Sequence, residues 1–258
     1  MPTIDTGRSA LFYQDAGTGG TPILLLHELG GSSESWAKAL PLLARERRAI
    51  AVDFRCAGRS EKPPGPFEMA DLADDLVALA NALGIQQFDV VGAALGSLAG
   101  ALLAIRHPER VRHLAMCAVA PDMAGPTRAY LAERAAIVRT VGMRGVAEAS
   151  LKNSFPDTHA AERAAYRGIY LANDPNAYAE LSLALGRLEL TPADWGRIAV
   201  PTLVAPGAHD FLWPPAIGQQ VAALIPGARF EILTDAGHFP HLQAPESLSR
   251  MAMRFFNG

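Results

Sequence analysis

Residues 88–106 decide the fold. They read Phe88-Asp89-Val90-Val91-Gly92-Ala93-Ala94-Leu95-Gly96, then Ser97-Leu98-Ala99-Gly100-Ala101-Leu102-Leu103-Ala104-Ile105-Arg106. Phe88–Gly92 is short and apolar, the pattern of a strand buried on both faces. Leu95–Arg106 is a helix of small and apolar residues, ended by His107-Pro108. Between them lies Gly92-Ala93-Ala94-Leu95-Gly96, a G-x-x-x-G turn from strand to helix.

Outward from this unit the same alternation repeats. Ile23–His27, Ala49–Phe54, Leu114–Ala118, Thr202–Ala205 and Arg229–Leu233 read as further buried strands. Met69–Leu83 sets Leu72, Leu76, Leu79 and Leu83 at helical steps, with Gly84 as its stop. A last helix starts near Ala244-Pro245-Glu246. Strands alternating with helices predict a parallel sheet. One segment breaks the pattern: Asp122 to Pro192 carries only Ala/Arg/Leu-rich helical pattern, with breakers at Gly142, Gly145, Pro156 and Pro175. It is read as a lid over the edge of the sheet where open α/β folds bind ligands. An extra helical layer without a lid role is the alternative. The expected division is a core of residues 1–121 and 193–258 and a helical cap of residues 122–192.

Composition bounds the rest. The chain has 258 residues, half of them apolar, and a net charge of −3 from 23 basic and 26 acidic side chains. No Lys/Arg-rich run marks a nucleic-acid or anionic-membrane surface. Cys56 and Cys117 cannot make a disulfide framework. No N-terminal stretch reads as a signal segment, and no apolar run approaches the roughly 18 residues of a membrane span. No G-x-G-x-x-G or P-loop follows a strand, so no nucleotide cofactor is implied. The expectation is a cytoplasmic, cofactor-free protein whose partner is a small molecule. Its oligomeric state stays open, a homo-oligomer among the options.

Three sets of loops after strands carry chemistry: His27-Glu28-Leu29-Gly30-Gly31, the turn at Ala94, and the late pair Gly207-Ala208-His209-Asp210 and Asp235-Ala236-Gly237-His238-Phe239-Pro240. Strand ends converge on one crevice, so these loops should meet. With Asp53-Phe54-Arg55-Cys56-Ala57-Gly58-Arg59-Ser60 and the stretch Ala236–Glu246, they make an ordered set over nearly the whole chain. This set resembles the α/β-hydrolase superfamily, in particular 3-oxoadipate enol-lactonase-like and C–C-hydrolase-like members. The resemblance implies a mostly parallel, eight-stranded-type sheet flanked by helices, with a helical cap inserted between core strands. It also implies an acid–base pair of Asp210 and His238, oxyanion donors at the backbone N–H groups of Leu29 and Leu95, and a pocket lined by His27, Trp213 and Phe239.

Two positions depart from that family. Ala94 stands where the G-x-S-x-G elbow has its nucleophile. Ser97 lies in the first helical turn and faces elsewhere. Glu28 stands where a glycine is usual, and by resemblance to hydroxynitrile-lyase-like members its side chain enters the pocket. The alternative has Glu28 turned toward a backbone N–H or Arg55. His209 and His241 read as bystanders, and His238 and His241 lack the placed carboxylates of a zinc site. Trp36 and Trp195 read as packing, while Arg59 or Arg128 is a candidate partner for a substrate carboxylate.

Removing the serine of such a triad costs on the order of 10⁶ in kcat. Either Ala94 is an engineered Ser→Ala change that traps substrate, or the natural protein uses other groups. A carboxylate about 5 Å from a developing oxyanion costs about 3 kcal/mol at an effective dielectric of about 20, so a serine hydrolase should avoid Glu28. The conflict disappears if Glu28 takes part in proton transfer, with burial raising its pKa. The sequence therefore predicts Glu28 and His238 as an acid/base pair, oriented by Asp210. It would hydrolyse a small ester, lactone or C–C bond without a covalent intermediate. Lyase or isomerase chemistry next to a carbonyl is a second possibility, and a non-catalytic binding protein on the same scaffold a third.

Overall fold

The computed structural model describes residues 2–123 and 125–258. Its strands are β1 (Thr3–Asp5), β2 (Ala10–Ala16), β3 (Ile23–Leu26), β4 (Ala49–Val52), β5 (Phe88–Ala93), β6 (Val111–Cys117), β7 (Thr202–Val204) and β8 (Arg229–Phe230). They form one sheet in the order β1-β2-β4-β3-β5-β6-β7-β8. β1 and β2 run antiparallel to their neighbours, and every pairing from β4 to β8 is parallel.

The helices are α1 (Leu40–Leu43), α2 (Met69–Ala82), α3 (Leu95–Arg106), α4 (Pro126–Val141), α5 (Arg144–Ser154), α6 (Ala160–Leu171), α7 (Pro175–Arg187), α8 (Pro192–Trp195), α9 (Pro215–Leu224), α10 (Pro240–Gln243) and α11 (Pro245–Asn257). Among the described residues none is long and apolar enough to cross a membrane. Successive side chains of a strand point to opposite faces. In β3, Leu24 and Leu26 join Leu72 and Leu76 of α2 and Leu98 of α3 in one core, while Ile23 and Leu25 join Leu43 of α1 and Leu248 and Phe255 of α11 in the other. This two-sided burial is why β3 reads as an unbroken apolar run.

Helices α4 to α7 lie between β6 and β7, the place expected for the insertion. Gly142, at φ +75°, closes α4, and Pro175 is the first residue of α7. Their apolar faces build a third core with Ala94, Ala118 and Phe239 from the sheet's C-terminal edge. The antiparallel strands β1 and β2 were not anticipated from the sequence: only Leu11–Tyr13 is continuously buried there, too short a run to stand out. The Arg229–Leu233 reading shrinks to β8 plus a single bridge from Leu233 to Gly207.

The close approach of β3 to the start of α3 fixes the centre of the sheet. A Cβ on Gly96 would stand 2.1 Å from the carbonyl oxygen of Leu26, and one on Gly92 would stand 2.5 Å from that of Gly96. Backbone cannot yield as a flexible side chain would. Gly96→Ala is therefore expected to lower the unfolding free energy by about 1–3 kcal/mol, read by chemical denaturation. An unchanged midpoint would show that the contact is slack.

Candidate active site

Ala94 joins β5 to α3 with φ +49° and ψ −110°, a backbone region that L residues rarely occupy. Its N–H donates to the carbonyl of Cys117 at 2.9 Å, and its methyl group faces a cavity of about 390 Å³. The chain thus keeps the sharp elbow that presents a nucleophile and carries no nucleophile on it. Ser97 supplies no replacement. It is fully buried, with its hydroxyl 2.8 and 2.7 Å from the carbonyls of Gly92 and Cys117, where it fastens helix to strand. Cys56 is buried too, and desolvation pushes its thiol up to about 11, away from thiolate reactivity.

The loops after β7 and β8 bring Asp210 and His238 together. A Cβ on Gly207 would stand 2.1 Å from the carbonyl oxygen of Gly237, so the two loops touch backbone to backbone. Asp210 Oδ1 accepts from the N–H groups of Leu212 and Trp213, both at 2.9 Å, which leaves Oδ2 aimed at His238 Nδ1 at 2.8 Å. With Nδ1–H donated to the carboxylate, Nε2 is the basic nitrogen. Trp213 meets the imidazole edge-on at 5.2 Å, and Phe239 covers it at 4.8 Å. Ala94, Leu95, Leu29, Trp213, His238 and Phe239 all line the cavity.

Glu28 also contributes to the cavity wall. Its carboxylate does not turn to Arg55, which is held by Asp75 in two 2.6 Å bonds. Ser35 donates to Oε1 at 2.8 Å, and His241 Nε2 lies 2.8 Å from Oε2. Gly31 makes room for this, because a Cβ there would stand 2.0 Å from Oε1. The side chains of Glu28 and His241 are both completely buried.

Two expectations are corrected here. His241, read as a bystander, is the hydrogen-bond partner of Glu28. The Glu28 carboxyl is not raised in pKa: burial pushes it up, but the adjacent His241 and, more weakly, His27 outweigh that and hold it down at about 2. A third correction concerns His27, expected to line the pocket. Its ring is fully buried, Nδ1 donates to the carbonyl of Glu28 at 2.7 Å, and Nε2 accepts from the N–H of Phe54 at 3.2 Å. That double attachment pins the end of β3 to the end of β4, and burial lowers the His27 pKa.

The insertion completes the cavity with Met123, Leu131, Arg134, Tyr170, Tyr178 and Leu185, among others. Arg134 was missed from sequence. It is 7 % exposed, and each of its hydrogen bonds among the described residues ends on a tyrosine hydroxyl, those of Tyr130, Tyr170 and Tyr178. Burial opposes its charge, and the surrounding tyrosines outweigh that and raise its pKa. The signal lay in α4, where Leu131, Ala135 and Val138 form the buried stripe and Arg134 falls on it. The arginines expected instead are engaged on the surface, Arg59 with Glu34 at 2.5 Å and Arg128 with Glu189 at 2.8 Å. Trp36 and Trp195 are packed inside, as read. Among the described residues no cluster of three or more His, Cys, Asp or Glu is placed to hold a metal ion.

The elbow, the acid–imidazole pair and the covered sheet edge define a hydrolase-fold architecture. Residues 21–245 match the alpha/beta hydrolase fold family, and the chain belongs to it. It is similar to an Azorhizobium caulinodans protein named carbamate hydrolase RutD, 29% identical over 260 residues that span 99% of this chain and 98% of that one. The crystal structure of the enol-lactonase from Burkholderia xenovorans LB400 superposes with a TM-score of 0.93 at 29% identity, covering 100% of both chains. A malate-bound thermophilic esterase from Thermogutta terrifontis gives 0.92 at 26% identity, over 96% of this chain and 93% of that one.

The strain at the elbow is measurable. A residue with a Cβ in this backbone region costs of order 1–3 kcal/mol, partly offset by the unfolded-state freedom of glycine. Ala94→Gly is therefore expected to raise the unfolding free energy by about 1 kcal/mol, read as a higher denaturation midpoint. A fall of that size would mean the alanine sits there without strain.

Proposed function

We propose that the protein hydrolyses a small anionic carbonyl compound, a lactone, an ester or an activated C–C bond, by acid/base chemistry of Glu28 and His238 without a covalent intermediate. The observation that carries this reading is the Asp210–His238 pair, complete at 2.8 Å, on the same cavity as a strained elbow that bears only a methyl group. A pure scaffold has no use for an oriented imidazole. Without a serine Oγ, the space above Ala94 takes the attacking water.

In the proposed step His238 Nε2 takes one proton of that water as its oxygen bonds to the carbonyl carbon. The carbonyl π pair moves to oxygen, where the N–H groups of Leu29 and Leu95 stabilise it. Asp210 stabilises the imidazolium. As the tetrahedral adduct collapses, the bond to the leaving group breaks and His238 returns the proton to it. Glu28, an anion buried in the cavity wall, attracts the second O–H of the water by its charge and so biases its direction of attack.

Arg134 supports an anionic substrate. It is a buried cation on the cavity wall, surrounded by hydroxyl groups that donate as readily as they accept. A carboxylate entering there finds a guanidinium and phenolic donors already in place. A related structure, the Thermogutta terrifontis esterase, holds malate, a dicarboxylate. The cap of helices α4 to α7 then serves as the lid that closes over the reacting centre.

Lactones, enol-lactones and aryl esters, with and without a carboxylate, form the test panel. His238→Ala is expected to lower kcat by about 10²–10⁴, the usual range for a lost general base. Arg134→Met is expected to raise KM about 10- to 100-fold for carboxylated substrates only, since a charged hydrogen bond contributes about 1.5–3 kcal/mol. A product burst from Ala94→Ser, with the parent protein inert, would replace this reading with that of a silenced serine hydrolase. Saturable binding without turnover would leave a receptor.

A further inference from the structure

We propose that His241 is the positioning residue of Glu28, and that the two form a second carboxylate–imidazole pair of the site, built in the reverse sense of Asp210–His238. In the Asp210–His238 pair the imidazole lines the cavity and the carboxylate stands behind it; in the second the glutamate belongs to the cavity wall, its carboxylate buried within it, and the imidazole stands behind. The proposal rests on reading the cavity as a hydrolytic site.

The geometry of the second pair is that of a built device. Glu28 Oε2 and His241 Nε2 are 2.8 Å apart with no solvent access to either side chain. Ser35 fixes the other oxygen, and the missing side chain of Gly31 leaves it room. The His241 ring lies on Trp36 at 4.5 Å, which sets its plane. His241 Nδ1 is buried without a hydrogen-bond partner among the described residues, so Nε2 makes the hydrogen bond that holds the ring, and it makes it to Glu28. Ser35 and His241 thus hold one carboxylate oxygen each, and the charge acts on the cavity from within its wall.

Other groups around the pair leave its charge in place. His27, on the same loop, is held toward its neutral form by burial. Tyr166 on α6 keeps its proton, because burial and the Glu28 charge both oppose its loss. Tyr170, also on α6, is bonded to Arg134 of α4. Glu34, next to Ser35, turns outward to Arg59. His238 belongs to Asp210. His241 is thus the basic side chain that faces the Glu28 carboxylate. Without it, burial is the dominant influence on the carboxyl and drives it toward the neutral acid, which has no charge to act on the cavity.

The test compares the parent protein with His241→Gln, Glu28→Gln and the double variant. Gln keeps a donor toward Glu28 and cannot carry charge. Infrared titration reads the protonated carboxyl of Glu28 directly and needs no turnover. The expected result is that Glu28 stays ionised through the neutral range in the parent. In His241→Gln a buried carboxyl band should grow in as pH falls through about 6–7, the range of carboxyls in apolar sites, and be absent from the double variant. With 4-nitrophenyl acetate and dihydrocoumarin as probes, kcat of His241→Gln should gain an acid limb over the same range, with KM unchanged.

A carboxylate that stays ionised in His241→Gln, or a carboxyl band without the acid limb in kcat, overturns the assignment. If His241→Gln does not fold, ¹⁵N NMR of histidine-labelled parent protein decides. One imidazolium must persist above the pH at which the other histidines titrate, and Glu28→Gln must abolish it; its absence overturns the proposal. Failure of the hydrolytic reading appears separately, as His238→Ala turning over at the parent rate.

Discussion

Gly96 lies so close to the carbonyl oxygens of Leu26 and His27 that no side chain fits between them. That contact locks the start of α3 against the end of β3, and the elbow and the His27–Leu29 segment hang from one or the other. On one side the chain turns through Ala94 at φ +49°. On the other it passes through His27, anchored to β4, into Glu28 and Leu29. The N–H groups of Leu29 and Leu95, the elbow methyl and the Glu28 carboxylate are therefore set by two strand ends and one helix start, not by a mobile loop. Rigid support of this kind is what an electrostatic site requires, because donors and charges act only where they already point.

The sequence made the core legible because parallel strands buried on both faces show as apolar runs, and Gly or Pro marks most helix ends. β1 and β2 escaped because an antiparallel edge carries little buried surface. At the site, Ala94, Asp210 and His238 were legible, since each sits in a local motif after a strand. Glu28 was legible as an oddity, but its partner was not. Glu28 and His241 are 213 positions apart, and no spacing connects them. Arg134 left a trace, a cation on the apolar stripe of α4, but the tyrosines that receive it come from α4, α6 and α7. His27 was misplaced because a residue at a strand's end can point beneath the loop as readily as into the crevice, and its two hydrogen bonds decided for beneath.

Charge is what reconciles Glu28 with an oxyanion. An unbalanced carboxylate about 5 Å from the developing negative charge opposes it by about 3 kcal/mol at an effective dielectric of about 20. In the proposed pair His241 Nε2 bonds that carboxylate at 2.8 Å from behind and draws its charge away from the oxyanion. The sequence suggested escape by a raised pKa. The structure points the other way, since the neighbouring His241 holds the Glu28 carboxyl low against its burial. A buried pair of this kind stabilises the fold little, because desolvation of both ions offsets their attraction. Its presence beside the elbow is then better explained by chemistry than by stability.

The elbow itself supports the same conclusion. A chain with no nucleophile gains nothing from holding Ala94 in a strained backbone, unless the strain is imposed by what flanks it. Gly92 and Gly96 are packed backbone to backbone, so relaxing the turn would shift the N–H of Leu95 and the end of β5 together. The strain persists because it places a donor, and the methyl group leaves above it the volume that a hydroxyl would otherwise fill. In the proposed reaction that volume, beside the imidazole of His238, takes the water. Water fits it better than a bulkier nucleophile, since it can donate one proton to His238 while its oxygen faces the substrate.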